Sequence, residues 1–205
     1  MKKAKSFHLF NLLRELENLE DEDGSSSNTK LKMSQIDFMN MVNLSRSQKT
    51  TLNLSGMDLR SLVMQNMNLS HCEIIRSNFS KMNLKDLKIN NSRLNGCNFS
   101  GCDLTNVDFS NCDLRDSNFC GAKLNSTNFT KANLEGCLFD KNTKFISTKL
   151  EGVELTNASL KGVKLEHCNL TGCDIQNANT QGMKISNCQS ENVFSSSNIL
   201  NSAQV

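Results

Sequence analysis

The sequence predicts an all-β solenoid on three observations: an apolar residue at every fifth position, small side chains two residues ahead of each, and glycines two residues behind. The fivefold series runs from Leu54 through Leu59, Met64, Leu69 and Ile74 to Phe139, slips by one residue, and resumes from Phe145 through Leu150 and Leu155 to Ile185. Of its 27 positions only Thr180 is polar. A period of five matches neither the 3.6 of an amphipathic helix nor the 2 of a flat strand, so a helix or a flat sheet cannot bury it. Residues two before the centres, such as Cys72, Ser77, Cys97, Val107 and Ala122, share the centre's side of an extended segment, so each unit points two side chains inward and then turns. Nine of the ten glycines sit two residues past a centre, where a corner with unusual dihedrals falls.

Composition agrees. The 205 residues are 37% hydrophobic and include 11 Phe and 9 Cys but no Pro, Trp or Tyr, whereas an ordinary domain is about 45–50% apolar and uses roughly 5% Pro. Lys and Arg number 23 against 21 Asp and Glu, a net charge of +2. That balance argues against both a strongly basic nucleic-acid binder and an acidic DNA mimic. No run reaches the roughly 18 apolar residues of a membrane span.

Strings such as NFSGCDLTNVDFSNCDLRDSNF and TNFTKANLEG resemble the pentapeptide-repeat family, whose units follow an A(D/N)LxX pattern; Asn or Asp precedes the centre in 15 of the 27 units. The resemblance implies a right-handed quadrilateral β-helix over residues 51–190, with four units per coil and about seven coils stacked at the strand spacing. A 20-residue coil stacks Phe79, Phe99, Phe119 and Phe139 on one inner face and places Phe109 and Phe129 on the opposite one. The two remaining faces carry leucine, as at Leu84, Leu104 and Leu124.

The flanks divide simply. Residues 1–20 read as an amphipathic helix with Phe7, Leu9, Phe10, Leu12, Leu13, Leu16 and Leu19 on one face, and residues 21–33 as a flexible polar linker. Residues 34–50 form a short N-terminal capping helix and lead-in, with Ser34 as N-cap, Asp37 three residues on, and Ile36, Phe38, Met39, Met41 and Val42 as its apolar face. Such a cap covers the open end of the solenoid. Residues 191–205 are a C-terminal cap or tail in which Val193, Phe194, Ile199 and Leu200 cover the last coil.

Candidate chemistry is sparse. Eight of nine cysteines occupy the inward small position, Cys120 being the exception, and read as small hydrophobes. Consecutive inward positions lie on different walls, which disfavours a zinc site. His71–Cys72 and His167–Cys168 are neighbours in an extended chain and point to opposite sides, so neither makes a nucleophile with its base. Cys168 and Cys188, 20 residues apart, fall within disulfide reach on adjacent coils but are expected as free thiols in a reducing compartment. Asn-x-Ser/Thr sequons, as at Asn53 and Asn98, arise mechanically from the repeat, and Asp103, Asp108 and Asp113 lie on successive faces rather than in a cleft. No catalytic residue, metal or cofactor is assigned. One surface feature stands out: with the slip absorbed at a corner, Lys123, Lys144, Lys164 and Lys184 occupy one position on four successive coils, a candidate partner-binding wall.

The stretch SQIDFMNMV, followed by LNLSGMDLRSLVMQNMNLSHCEI, is similar to the pentapeptide tail of animal BTB/POZ adaptors of the potassium-channel-tetramerisation-domain type. In those a BTB domain binds cullin-3 and the tail is thought to present substrate. The segment ahead of the repeat is too short for a BTB domain, so that half is expected to be absent from this chain. The resulting expectation is a cytoplasmic or nuclear, non-catalytic protein-binding scaffold, without membrane or direct nucleic-acid contact, with end-to-end self-association as a further option. A DNA-mimicking topoisomerase-binding protein of the bacterial pentapeptide type is the alternative.

Overall fold

The computed structural model describes residues 33–195. The described residues form a right-handed quadrilateral β-helix entered through a helix. Parallel bridges join residues 20 apart, as in Asn53↔Glu73, Asp58↔Asn78, Asn68↔Lys88 and Asn83↔Asp103, so each coil has four walls. The column from Asn53 through Arg93 and Asn133 to Phe194 climbs seven inter-coil steps. Three segments extend far enough to form strands, β1 (Lys144–Ile146), β2 (Lys164–Glu166) and β3 (Lys184–Ser186), which pair in parallel and in register.

The fivefold centres point inward as the periodicity predicts. All from Leu54 to Ile175 are buried, while Thr180 and Ile185, in the last described coil, are only half-buried. The phenylalanines form two stacks. Ring centroids are 4.8 Å apart for Phe79–Phe99, 5.1 Å for Phe99–Phe119 and 5.3 Å for Phe119–Phe139, and 5.3 Å for Phe109–Phe129 opposite. Across the interior the stacks meet edge to face, Phe99 and Phe109 at 5.5 Å, an arrangement that suits the aromatic quadrupoles.

Corners and walls follow from the repeat chemistry. The residue two past the centre is left-handed at nearly every corner, with Gly121 at φ +70° and Asn106 at +60°. Asn is the commonest non-glycine there, because its short side chain tolerates this region best. The N–H three residues past the centre closes the turn, as Met82 N–H does on Phe79 O at 3.1 Å. The Asn or Asp before the centre then accepts the N–H two residues on; Asn98 Oδ1 takes Ser100 N–H at 3.0 Å, and Asp108 Oδ1 takes Ser110 N–H at 3.1 Å. This Asx turn explains why those two residue types recur at that place.

The one-residue slip lies between Leu138, still paired 20 residues on from Asn118, and Lys144, paired 21 on from Lys123. The extra residue bulges within the Asp140–Thr143 turn. Gly121 N–H donates instead to Asp140 Oδ1 at 2.8 Å, and the buried Thr143 returns the inward position to register by donating its hydroxyl to Phe119 O at 3.0 Å.

Helix α1 (Gln35–Gln48) closes the N-terminal end. Ser34 caps it, its Oγ accepting Asp37 N–H at 3.1 Å, and Lys49 ends it in a left-handed conformation. The apolar face is narrower than the sequence predicts: Phe38 and Val42 are buried, but Ile36 is 73% exposed and Met39 faces outward. An i, i+4 pair makes one stripe, and Ile36 lies on the other side of the helix. Gln35 pairs with the Val63 backbone in both directions, at 3.0 and 2.8 Å, and Arg46 Nη2 donates to Asn68 O at 2.6 Å.

At the other end Val193 packs against the core, but Phe194 is 58% exposed. It pairs with Asp174 at the outward Asn/Asp position, so it does not cover the coil as expected. Ile199 and Leu200, the helix expected over 1–20 and the linker but for the buried Met33 lie outside the described residues.

Candidate functional site

The interior offers little space. A cavity toward the C-terminal end, lined by Phe145, Leu150, Leu165 and Val193 among others, measures about 10 Å³. That is room for one water, against the roughly 300–1,000 Å³ of a small-molecule pocket.

The small inward position has a task that its size alone does not reveal. At many of these sites the hydroxyl or thiol donates to the carbonyl of a centre 23 residues earlier: Ser77 to Leu54 O at 2.8 Å, Cys97 to Ile74 O at 2.7 Å, Cys102 to Phe79 O at 2.9 Å and Thr127 to Leu104 O at 2.8 Å; Cys72 and Ser92 differ, bonding to Ser92 Oγ and Asn90 O. The preference for Cys, Ser and Thr over Ala was the available signal. Burial drives the Cys97, Cys102, Cys112 and Cys173 thiols up to about 12, so they are protonated donors rather than nucleophiles.

The His–Cys pairs come apart as the sequence suggests. His71 and His167 are exposed corner residues with φ of 63° and 56°, while Cys72 and Cys168 point inward. Burial pushes the Cys72 thiol up to about 11. No group of three or more metal-ligating side chains converges among the described residues.

Asp103, Asp108 and Asp113 belong to three different bridge columns. Partial burial opposes ionisation of Asp108, but donors from Asn90, Ser110 and Asn128 outweigh it and hold the carboxyl below its ordinary value. Arg115 grips Asp113 through Nε and Nη2, both at 2.8 Å, and its hydrogen bonds lower that carboxyl too. These carboxylates serve the wall.

The lysines form one column. Lys123 bridges to Lys144, which pairs with Lys164, which pairs with Lys184. Lys123 lies 3.5 Å from Asp103 Oδ2, a carboxylate also approached by Lys85 at 3.4 Å. Lys144, Lys164 and Lys184 are exposed and have no carboxylate within 4.0 Å among the described residues. Beside them on the same wall stand Ile146, 38% exposed, then Glu166 and Ser186. Sequence spacing thus puts four lysines in line, and Asp103 leaves three of them unpaired. No helix among the described residues is long and apolar enough to cross a membrane.

Comparison with known proteins places the chain. No curated protein matches it. Among solved structures it is similar to a trypsin-treated variant of QnrB1, a plasmid-mediated fluoroquinolone resistance protein, at 17% identity over 69% of this chain and 91% of that one, with a TM-score of 0.41. It is also similar to HetL, a pentapeptide repeat protein involved in heterocyst differentiation regulation from Nostoc sp. strain PCC 7120, at 18% identity over 70% and 83% of the two chains, TM-score 0.33. Residues 64–101, 102–140 and 141–188 match the family described as pentapeptide repeats (8 copies), which is more than half of the sequence; the chain belongs to the pentapeptide-repeat family.

Proposed function

We propose that the protein is a non-catalytic scaffold that binds an acidic protein partner along the wall formed by β1, β2 and β3. The observation that carries this reading is the in-register ladder of Lys144, Lys164 and Lys184. Rungs one strand spacing apart, about 4.8 Å, repel one another, and no carboxylate of the described residues lies within 4.0 Å of them. An acidic strand or helix laid along the wall supplies that relief. The filled interior leaves the outer surface as the place for recognition.

Proximity labelling in cells identifies the partner, and binding of the purified partner is then measured across a salt series. Charge reversal of Lys144 and Lys164 together weakens binding, and the loss shrinks at high salt because surface charges are screened within about 8–10 Å. Unchanged binding by the double variant, with binding abolished by deletion of residues 1–32, moves the partner surface to the N-terminal segment and overturns the reading. The narrower role, substrate recognition for a cullin-3 ligase in the cytoplasm, draws on the likeness of SQIDFMNMV and LNLSGMDLRSLVMQNMNLSHCEI to adaptor tails. Recovery of cullin-3 together with the partner supports it; recovery of the partner without cullin-3 removes it.

A further inference from the structure

The inward cysteines are spaced along their columns with one exception. Cys72 and Cys112 are separated by Ser92, Cys97 and Cys137 by Ser117, and Cys112 and Cys173 by Ala132 and Val153. Only Cys168 and Cys188 stack directly on adjacent coils. Registers on both sides of the pair, Glu166↔Ser186 and Asn169↔Gln189, fix their backbones one strand spacing apart, about 4.8 Å and within the roughly 4.4–6.8 Å Cα separation of disulfides. Cys168 N–H donates to Cys188 Sγ at 3.2 Å.

Their surroundings differ. Cys168 is 2% exposed, with its Sγ 3.7 Å from Phe145 O, the longest of the thiol-to-carbonyl contacts made 23 residues back. Cys188 is half-buried in the last described coil, so a solute reaches it before the buried Cys168. The pair loses its first proton at Cys188, because the Cys168 thiol donates to it; burial works against that loss, while the Cys168 N–H and the His167 charge favour it. The Cys168 thiol is pushed up by the same neighbour and by burial.

We propose that Cys188 and Cys168 form a thiol–disulfide exchange site for low-molecular-weight disulfides, which staples the last described coil of the rod to the one beneath it. Cys188 thiolate attacks one sulfur of the small disulfide, whose S–S bond breaks to release one thiolate and leave a mixed disulfide on Cys188. Cys168 gives its proton to solvent, attacks Cys188 Sγ and expels the second small thiolate. Two protein thiols are oxidised and one disulfide is reduced to two thiols, which balances the electrons. The bond joins the coil of β2 to that of β3 and so fixes Lys184 relative to Lys164.

Glutathione disulfide is the probe, applied to the full native chain in buffers of graded glutathione ratio, with remaining thiols alkylated and sites mapped by mass spectrometry. The expected product is a Cys168–Cys188 bridge. Cys168→Ser accumulates glutathione on Cys188 with no bridge, and Cys188→Ser leaves Cys168 unmodified. Amide exchange across residues 184–194 slows at least about tenfold in the bridged form. The proposal is overturned if glutathione enters Cys120 while Cys168 and Cys188 stay free, or if Cys188→Ser leaves Cys168 reacting at its original rate. Thermal melts establish that both variants remain folded.

Discussion

Phe119 stacks on Phe99 and Phe139 and meets Phe109 and Phe129 edge to face, and it is fully buried. Phe119→Ala removes a ring that neighbours on every side hold in place, so the walls cannot collapse into the gap, and the expected cost is about 3–5 kcal/mol. Lys131→Ala, at an exposed corner with φ of 58°, replaces one side chain with another in the same left-handed conformation, and less than about 0.5 kcal/mol is expected. Urea denaturation midpoints check both, and equal midpoints contradict the packing. Phe119 was legible because 20-residue spacing names its stack. The backbone at Lys131 was not. Glycine marks nine corners, yet Lys81, Arg76, His71 and Lys131 take the same left-handed turn. There the hydrogen bonds of the coils below and above impose a conformation that the residue itself disfavours.

Among elements, the Asp140–Thr143 turn shows best how the solenoid tolerates irregularity. The Asp140 carboxylate accepts N–H groups from Gly121, Asn142 and Thr143, at 2.8, 3.1 and 3.1 Å. It stands where a backbone carbonyl receives the corner N–H in regular coils, as Cys120 O receives that of Gly101. Asp140→Ala strands these donors and is expected to cost about 1–3 kcal/mol at neutral pH. Partial burial opposes the charge, but the Gly121 N–H, the Thr143 hydroxyl and Asn142 outweigh it and hold the carboxyl below its ordinary value. Its stabilisation is therefore present above about pH 4 and fades as pH falls through the lowered folded-state value. Urea melts at pH 7 and pH 3 should show wild type and variant converging in acid; a constant difference argues that the carboxylate charge is not involved. Sequence spacing located the slip between Phe139 and Phe145. It could not reveal that Asp140 substitutes for a carbonyl, because that role exists only once the coil beneath supplies Gly121.

For the whole molecule, closure of the N-terminal end is the feature to test. Helix α1 lays Phe38 and Val42 over the first coil and fixes itself through Gln35 and Arg46. Removal of residues 33–48 bares that cross-section and its unpaired strand edges, so the truncated chain is expected to associate with rising concentration, read by light scattering. A truncated chain that stays monomeric and equally stable contradicts a capping role. The likeness of repeat units made the solenoid and the line of four lysines plain from the sequence, whereas their pairing needed coordinates: the structure shows Lys123 beside Asp103 and the other three rungs without a carboxylate within 4.0 Å among the described residues.

Four units per coil also give the molecule an index, like the stops on a dial. Inserting one unit of five residues between Lys144 and Lys164 would advance everything downstream by a quarter turn, so Lys164 and Lys184 would face away from Lys144 while every side chain still found an inward or outward seat. Only insertions of four units return each residue to its original azimuth. Whole-unit gains and losses thus keep the inward and outward seats while scrambling the surface, and pressure on the outer pattern of such a chain acts on its length in steps of a full coil.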